Sequence, residues 1–211
     1  MSRSARESAQ ALSALAHEQS GYFTAKQAQS VGYEHKHLEY HASVGNFERV
    51  EHGLYRLPTV PPGENDDLVR LTLWSRNRKD EPQAVVSHES ALVLHGLSEL
   101  LPSKIHLTVP PKFRKATPAG CVLHKAALAP DDVEERAGFR VTTPLRTLLD
   151  VAAAGVSQEQ LEKAIGDALA RGLVRRKALD QAIRNAPGRD RLEAALGRKP
   201  ASRVTAKDRH D

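Results

Sequence analysis

Apolar residues near the start of the chain recur at the three- and four-residue spacing of an amphipathic helix. This spacing predicts a first helix over residues 4–18. A short apolar link at Tyr22 and Phe23 follows it. Thr24 is followed three residues later by Gln27, a pattern typical of a capping box, so a second helix is expected to begin there.

Two short helices joined by a turn that contains glycine predict a helix-turn-helix. They are expected over residues 25–31 and 34–44. Alternating residues over 46–57 then predict a β-hairpin whose tight turn ends at Gly53. Because a hairpin directly after a helix-turn-helix is a wing, residues 1–57 are expected to form a winged helix-turn-helix that binds DNA.

The rest of the chain mixes predicted strands and helices, so the fold class predicted is α+β. Three prolines, a glycine and acidic residues predict a linker over residues 58–66. Residues 67–197 are expected to form a mixed α/β domain that ends in helices, and residues 198–211 a basic disordered tail.

A helix is predicted at the start of this second domain, over residues 67–76. The spacing of Leu68, Leu71 and Trp74 indicates that these three side chains face inward.

The composition fits a globular protein, with 40% hydrophobic and 27% charged residues. No apolar run approaches the roughly 18 residues that a membrane span needs, so no membrane partner is expected. The single cysteine, Cys121, excludes an internal disulfide and suits a reducing compartment. We therefore expect a cytoplasmic protein.

The formal net charge of +5 is unevenly distributed along the chain. Residues 1–57 carry six Lys/Arg and six Asp/Glu, whereas residues 171–211 carry 12 and 5. The excess positive charge therefore lies outside the predicted DNA reader, which argues against strong non-specific binding by that domain alone. Five of the ten histidines lie in residues 1–57, so the positive charge of this predicted domain should rise below about pH 6.5.

The third helix is expected to read DNA with its outer face, while Leu38, His41 and Ala42 pack inward. The wing and the start of the second helix should contact the phosphate backbone. The residues predicted to contact DNA are Lys26, Gln27, His35, Lys36, Glu39, Tyr40, Arg49, His52 and Arg56. A winged helix used for protein contact remains open at this point.

Four stretches of the sequence resemble the AbiEi-type antitoxins. YHASVGNFERVEHGLYRLP resembles their wing region, and AVVSHESALVLHGLSELLP resembles the segment that opens their second domain. KIHLTVPPKFRK and FRVTTPLRTLLDVA resemble the strand, the basic loop and the helix that follow. The stretches occur in the family's order, and the resemblance as a whole extends over about residues 10–185.

The resemblance implies an antitoxin that binds repeats in its own promoter and counteracts a toxin of the nucleotidyltransferase class, directly or indirectly. It implies no catalytic residue and no cofactor. The wing residues carried over are Arg49, Gly53, Tyr55 and Arg56. The second-domain signature consists of Ser87, His88, Thr143, Arg146, Thr147 and Asp150.

Two alternatives stay open besides an antitoxin. The first is a stand-alone winged-helix transcriptional regulator without a toxin. The second is an endonuclease, because some proteins with a similar winged helix continue into a nuclease domain. A nuclease needs clustered carboxylates and a lysine around a metal ion. After Asp150 the chain offers amphipathic helices and a basic tail, so an enzyme is not expected.

Several other polar residues have structural interpretations. Arg146 and Asp150 are four residues apart and are expected to form an ion pair on a helix that Thr143 caps. The spacings of the remaining candidate ligands match no zinc pattern, so no metal is expected. These candidates are His88, His95, His106, His124 and Cys121. Two clusters of basic residues could face DNA, an acidic partner or solvent. They are Lys112, Arg114 and Lys115, and Arg175, Arg176 and Lys177.

Overall fold

The computed structural model describes residues 4–99 and 102–197, and the chain divides into two compact units. The first unit runs through Val86 and includes Leu107–Ala119 and Leu123–Val141. The second unit comprises Ser87–His106, Gly120–Val122 and the chain from Thr142 onward. The predicted disordered tail, residues 198–211, lies outside the described residues. The predicted domain boundaries stay a prediction.

The first unit begins with three helices, and side-chain caps fix the starts of the first two. They are α1 (Ala5–His17), α2 (Ala25–Ser30) and α3 (His35–Ser43). At the start of α1, Ser4 Oγ accepts from the Glu7 N–H at 3.3 Å. The box predicted at the start of α2 is confirmed, because Thr24 Oγ1 accepts from the Gln27 N–H at 3.1 Å and Gln27 Oε1 accepts from the Thr24 N–H at 2.8 Å.

The wing belongs to a three-stranded antiparallel sheet. Its strands are β1 (Tyr22–Thr24), β2 (Glu48–Glu51) and β3 (Leu54–Arg56), in the order β1-β3-β2. The register of β2 against β3 shifts between Arg49 and Glu51. The predicted apolar link at Tyr22 and Phe23 is therefore wrong: these residues form a strand, and Phe23 pairs with Tyr55. A three-residue strand is too short for its alternation to be visible in the sequence.

Aromatic side chains join the helices to this sheet. The Phe23 ring is 0% exposed, and its centroid lies 5.0 Å from that of Phe47 and 5.8 Å from that of Tyr55. Leu12 of α1 and Leu38 of α3 complete the same core. The helical residues in this core are those that the 3.6-residue period of α1 and α3 places on the apolar face of each helix.

The segment predicted as a linker packs back onto the wing. Val60 is buried, and its carbonyl oxygen accepts from Arg56 Nη2 at 2.6 Å. Helix α4 (Asp66–Trp74) follows. Its buried residues are Val69, Leu71, Thr72 and Leu73, whereas Leu68 and Trp74 are only half-buried. The predicted inward face was therefore correct for Leu71 alone, because Val69 and the residues one turn later lie deeper.

A second sheet lies mostly in the first unit. Its strands are β4 (Val85–Val86), β5 (Ile105–Val109), β6 (Cys121–Lys125), β7 (Val133–Glu135) and β8 (Arg140–Thr142). The strand order is β6-β5-β4-β8-β7. Strand β4 pairs antiparallel with β5 and parallel with β8, so the sheet is mixed. Both residues of β4 are buried, as expected for a central strand.

The second unit is mainly helical. Its helices are α5 (His88–Leu94), α6 (Pro144–Ala154), α7 (Gln158–Ala170), α8 (Arg176–Ile183) and α9 (Arg189–Ala195). Their apolar faces share one core that includes Leu148, Val151, Leu161, Leu179 and Leu192. The α+β fold class is confirmed. No helix within residues 4–99 or 102–197 is long and apolar enough to cross a membrane.

Two glycines of the second unit provide a stability test, because both adopt positive φ but differ in their surroundings. Gly188 has φ +78°, and a Cβ there would lie 2.8 Å from the carbonyl carbon and oxygen of Ala152. Gly172 has φ +69° and no atom within 4 Å of its Cβ position. Gly172→Ala should cost about 1–2 kcal/mol through backbone strain alone. Gly188→Ala should cost about 1–3 kcal/mol more, because backbone atoms cannot yield as a side chain can.

Urea unfolding of the two variants measures this difference. Equal free energies of unfolding for Gly188→Ala and Gly172→Ala would contradict the close approach of the chain at Ala152.

Candidate nucleic-acid interface

Helix α3 presents a continuous exposed face. His35, Lys36 and Glu39 are exposed, and Tyr40 is 61% exposed. Leu38 is 0% exposed, so the predicted inner and outer faces of this helix are confirmed. At the end of the helix, Val44 adds an exposed apolar side chain that was not among the predicted DNA contacts. Apolar side chains of this kind can contact thymine methyl groups.

His41 is a packed residue, as predicted. Its ring lies 4.8 Å from the Phe47 ring, and its Nδ1 is 3.1 Å from Asn46 Nδ2. It therefore supports the helix from beneath and does not belong to the outer face.

The charges on the α3 face are compensated locally. Lys36 Nζ lies 2.8 Å from Glu34 Oε2, and His35 Nδ1 lies 3.5 Å from Glu39 Oε1. The hydrogen bond with Lys36 lowers the pKa of Glu34, and the same bond raises the pKa of Lys36. Both pairs are exposed, so they are weak, and Lys36 can exchange its carboxylate partner for a phosphate.

The wing carries exposed cationic or polar side chains at Arg49 and His52. Its turn includes Gly53, whose φ of +73° is accessible to glycine without strain. The Gly53 carbonyl oxygen accepts from the Ala25 N–H at 2.8 Å, which fixes the wing tip against the first residue of α2. Lys26, the next residue of α2, is exposed, so it lies beside the wing tip as well.

Gln27 has a different role from the predicted contact with the DNA backbone. It is 8% exposed, and its Nε2 donates to Gln19 Oε1 at 2.9 Å. Because its amide oxygen accepts from the Thr24 N–H, both ends of the side chain are engaged within the protein. Gln27 is a capping residue and is removed from the candidate interface.

Arg56 also faces the protein interior, which corrects the prediction that it contacts DNA. Its side chain is 12% exposed and lies 3.9 Å from the carboxylate of Asp66. The guanidinium carbon lies 5.6 Å from the centroid of the Tyr22 ring, and Nη2 donates to the Val60 carbonyl. Burial raises the pKa of Tyr22, and the neighbouring Asp66 raises it further. Arg56 therefore holds the segment after the wing in place.

The second-domain signature contains internal contacts around α6. The predicted ion pair is confirmed, with Arg146 Nε 2.8 Å from Asp150 Oδ1. Thr143 caps the helix by accepting from the Arg146 N–H at 3.3 Å, as predicted. Thr147 Oγ1 lies 2.7 Å from Thr142 Oγ1. These contacts position α6, and a contact with a toxin stays a prediction.

Ser87 and His88 lie where β4 ends and α5 begins. Ser87 is 0% exposed, and its Oγ lies 2.9 Å from His88 Nδ1. His88 has φ +54°, a left-handed conformation that costs a residue other than glycine about 1–3 kcal/mol.

The histidines considered as metal ligands take part in separate hydrogen bonds. His95 Nε2 lies 2.7 Å from the Thr142 carbonyl oxygen, and His106 Nε2 lies 3.2 Å from Glu89 Oε2. Cys121 is half-buried. Among the residues that the structure describes, no three His, Cys, Asp or Glu side chains form a group that could hold a metal ion.

Two models of known protein families match the chain. Residues 10–58 match a family model described as a transcriptional regulator, AbiEi antitoxin. Residues 84–206 match a model described as the AbiEi antitoxin C-terminal domain. No curated protein matches the chain.

The fold is similar to that of a solved structure, the RV2827C protein from Mycobacterium tuberculosis. The two chains share 17% sequence identity with a TM-score of 0.59. The similarity covers 95% of this chain and 80% of the other. At this identity it shows the fold alone.

Two arginines of the wing should separate structural from surface roles. Arg56→Ala removes a buried hydrogen bond and the packing over Tyr22, so the free energy of unfolding should fall by about 1–3 kcal/mol. Arg49→Ala removes an exposed side chain and should change it by at most about 0.5 kcal/mol. Thermal or urea unfolding measures the stability of the two variants. An equal fall in the free energy of unfolding would contradict the different surroundings of the two arginines.

Proposed function

Because this chain belongs to the AbiEi antitoxin family, we propose that it is the antitoxin of a toxin–antitoxin system. It binds its own promoter through the winged helix and represses it. It also neutralises a nucleotidyltransferase-type toxin through the chain beyond the winged helix.

DNA binding is supported by the exposed face of α3 beside an exposed wing. This single observation carries the proposal, because a reading helix needs side chains that reach base edges while a wing contacts the adjacent backbone. The proposed contacts are His35, Lys36, Glu39, Tyr40, Arg49 and His52, with Lys26 at the start of α2.

The chemistry of these side chains suits different parts of the duplex. Lys36 can donate to guanine or to phosphate, and Arg49 can donate to phosphate or enter the minor groove. Glu39 can accept from the amino group of cytosine but would be repelled by phosphate, so we place it at a base edge. Tyr40 presents both an apolar ring and a hydroxyl.

Toxin neutralisation is supported by the family model over residues 84–206. Within this region the ion pair of Arg146 with Asp150 is largely internal, with side chains 24% and 9% exposed. We therefore assign this pair to positioning α6, whose neighbouring surface would contact the toxin. The protein acts by binding and not by catalysis, needs no cofactor, and works in the cytoplasm.

Removal of single cations from the interface should weaken promoter binding. Lys36→Ala and Arg49→Ala each remove a base or phosphate contact, so the dissociation constant for the protein's upstream DNA should rise about 5- to 100-fold. Gel-shift titrations at two salt concentrations measure it. Lys125→Ala, which removes an exposed cation from β6, is the matched control and should bind as the parent does. Unchanged binding by both interface variants would exclude this face as the DNA reader.

The same two substitutions combined should leave toxin neutralisation intact. Lys36→Ala/Arg49→Ala changes the surface of the winged helix and leaves residues 84–206 untouched. Cells that express the proposed nucleotidyltransferase-type toxin should be rescued by this variant, expressed from an independent promoter, as well as by the parent chain. A folded double variant that fails to rescue would show that neutralisation requires DNA binding. Absence of rescue by the parent chain would favour a stand-alone regulator.

A further inference from the structure

Six exposed cations lie on three separate segments of the first unit that meet near the wing tip. They form what we call the basic cluster: Lys26, Arg78, Lys79, Lys112, Arg114 and Lys115. All six residues are exposed. Five of them lie outside the winged helix in sequence, so the composition of residues 1–57 gives no indication of this charge.

Specific contacts bring the three segments together. Lys26 Nζ donates to the Arg78 carbonyl oxygen at 2.8 Å, which joins the start of α2 to the loop after α4. Lys115 Nζ donates to the Trp74 carbonyl oxygen and lies 5.8 Å from the centroid of the Trp74 ring. Phe113 is buried with its ring 5.4 Å from that of Trp74, so the loop after β5 is held against α4.

The wing tip belongs to the same surface. A cavity of about 250 Å³ is lined by Lys26, His52, Gly53, Trp74 and Lys115, among others. The loop that carries Lys112 and Arg114 therefore lies next to the turn of the wing.

The two carboxylates that line this cavity are engaged with other residues. Asp80 accepts from Arg76 at 2.9 Å, and Glu51 accepts from Arg70 at 2.5 Å. Over residues 4–99 and 102–197, the structure gives no carboxylate partner within ion-pair distance for Arg78, Lys79, Lys112 or Arg114. These four cations therefore form no ion pair within the described chain.

We infer that the basic cluster binds the phosphate backbone of the duplex that the wing contacts, and so extends the DNA footprint beyond the winged helix. This inference rests on the proposed DNA binding. Residues 1–57 carry equal numbers of cations and anions, whereas affinity for DNA comes largely from cations that replace counterions on phosphates. The basic cluster supplies the missing cations at the edge of the interface.

Phosphate fits this surface better than an acidic protein does. The centre of a protein interface is rich in aromatic and other apolar side chains. The large apolar side chains that are exposed in the described chain are Tyr40, Val44 and Leu173. None of them belongs to the basic cluster. Exposed Lys and Arg side chains on loops without an apolar centre are typical of contacts with the DNA backbone.

Within the basic cluster the residues divide by role. The ammonium groups of Lys26 and Lys115 bond to carbonyl oxygens and hold the loops together. Lys79, Lys112 and Arg114 have no such bond in the described chain and face solvent, so they are the proposed phosphate contacts.

The test compares two triple variants that remove the same charge. Lys79→Gln/Lys112→Gln/Arg114→Gln neutralises the basic cluster. Arg175→Gln/Lys177→Gln/Arg184→Gln neutralises three exposed cations at α8 that also have no described carboxylate partner, and is the matched control. Binding of each full-length protein to its own upstream duplex is titrated over several salt concentrations. Equal melting temperatures confirm that the variants are folded.

Each lost phosphate contact reduces the slope of log Kd against log salt by about 0.9. The cluster variant should therefore lose about 2–3 from this slope, and its Kd should rise at least about tenfold at low salt. The α8 variant should keep the slope of the parent within about one contact.

Three other outcomes would overturn the inference. Equal slopes for the two variants would show that only net charge matters. A cluster variant that keeps the parent's slope but no longer rescues cells from the toxin would assign the surface to an acidic protein. A parent chain that binds its upstream duplex no better than a random duplex would overturn the proposed function, and this inference with it.

Discussion

The winged helix depends on the packing of the buried Phe23 ring against two neighbouring aromatic rings. Phe23 lies on β1, and its ring packs against Phe47, which directly precedes β2, and against Tyr55 on β3. Phe47 in turn contacts His41 of α3. One aromatic cluster therefore holds both the wing and helix α3 against the same core. Aromatic residues make up only 4% of the chain, so few other side chains could replace this cluster.

Local signals made most of the helices predictable. Where a capping residue or a proline marks the start, as at Thr24 or at Thr143 and Pro144, the predicted and observed starts agree. The faces of α3 followed from its period of 3.6 residues, because Leu38 packs inward in both descriptions. Strand β1 was missed, since three residues contain too little alternation and its pairing partner lies about 30 residues away.

The candidate site was harder to predict than the fold, because exposure depends on tertiary contacts. Arg56 was expected on the surface from its position in the wing, but Val60 and Asp66 from the following segment enclose it. Gln27 was assigned two roles, but its buried side chain bonds to the Thr24 N–H in the cap and to Gln19, so it faces the protein interior. At α3, Glu34 pairs with Lys36, and Glu39 lies beside His35. With its positive charge offset in this way, the proposed reading helix would discriminate bases better than it would supply affinity.

Strand β2 lies at an edge of the three-stranded sheet, where unpaired backbone groups could recruit a strand from another molecule. Three of its four residues are charged: Glu48, Arg49 and Glu51. The register shift between Arg49 and Glu51 interrupts the regular ladder that an added strand would require. This irregularity disfavours the addition of a strand from another molecule. The edge of the wing therefore stays exposed and can contact a partner of another kind.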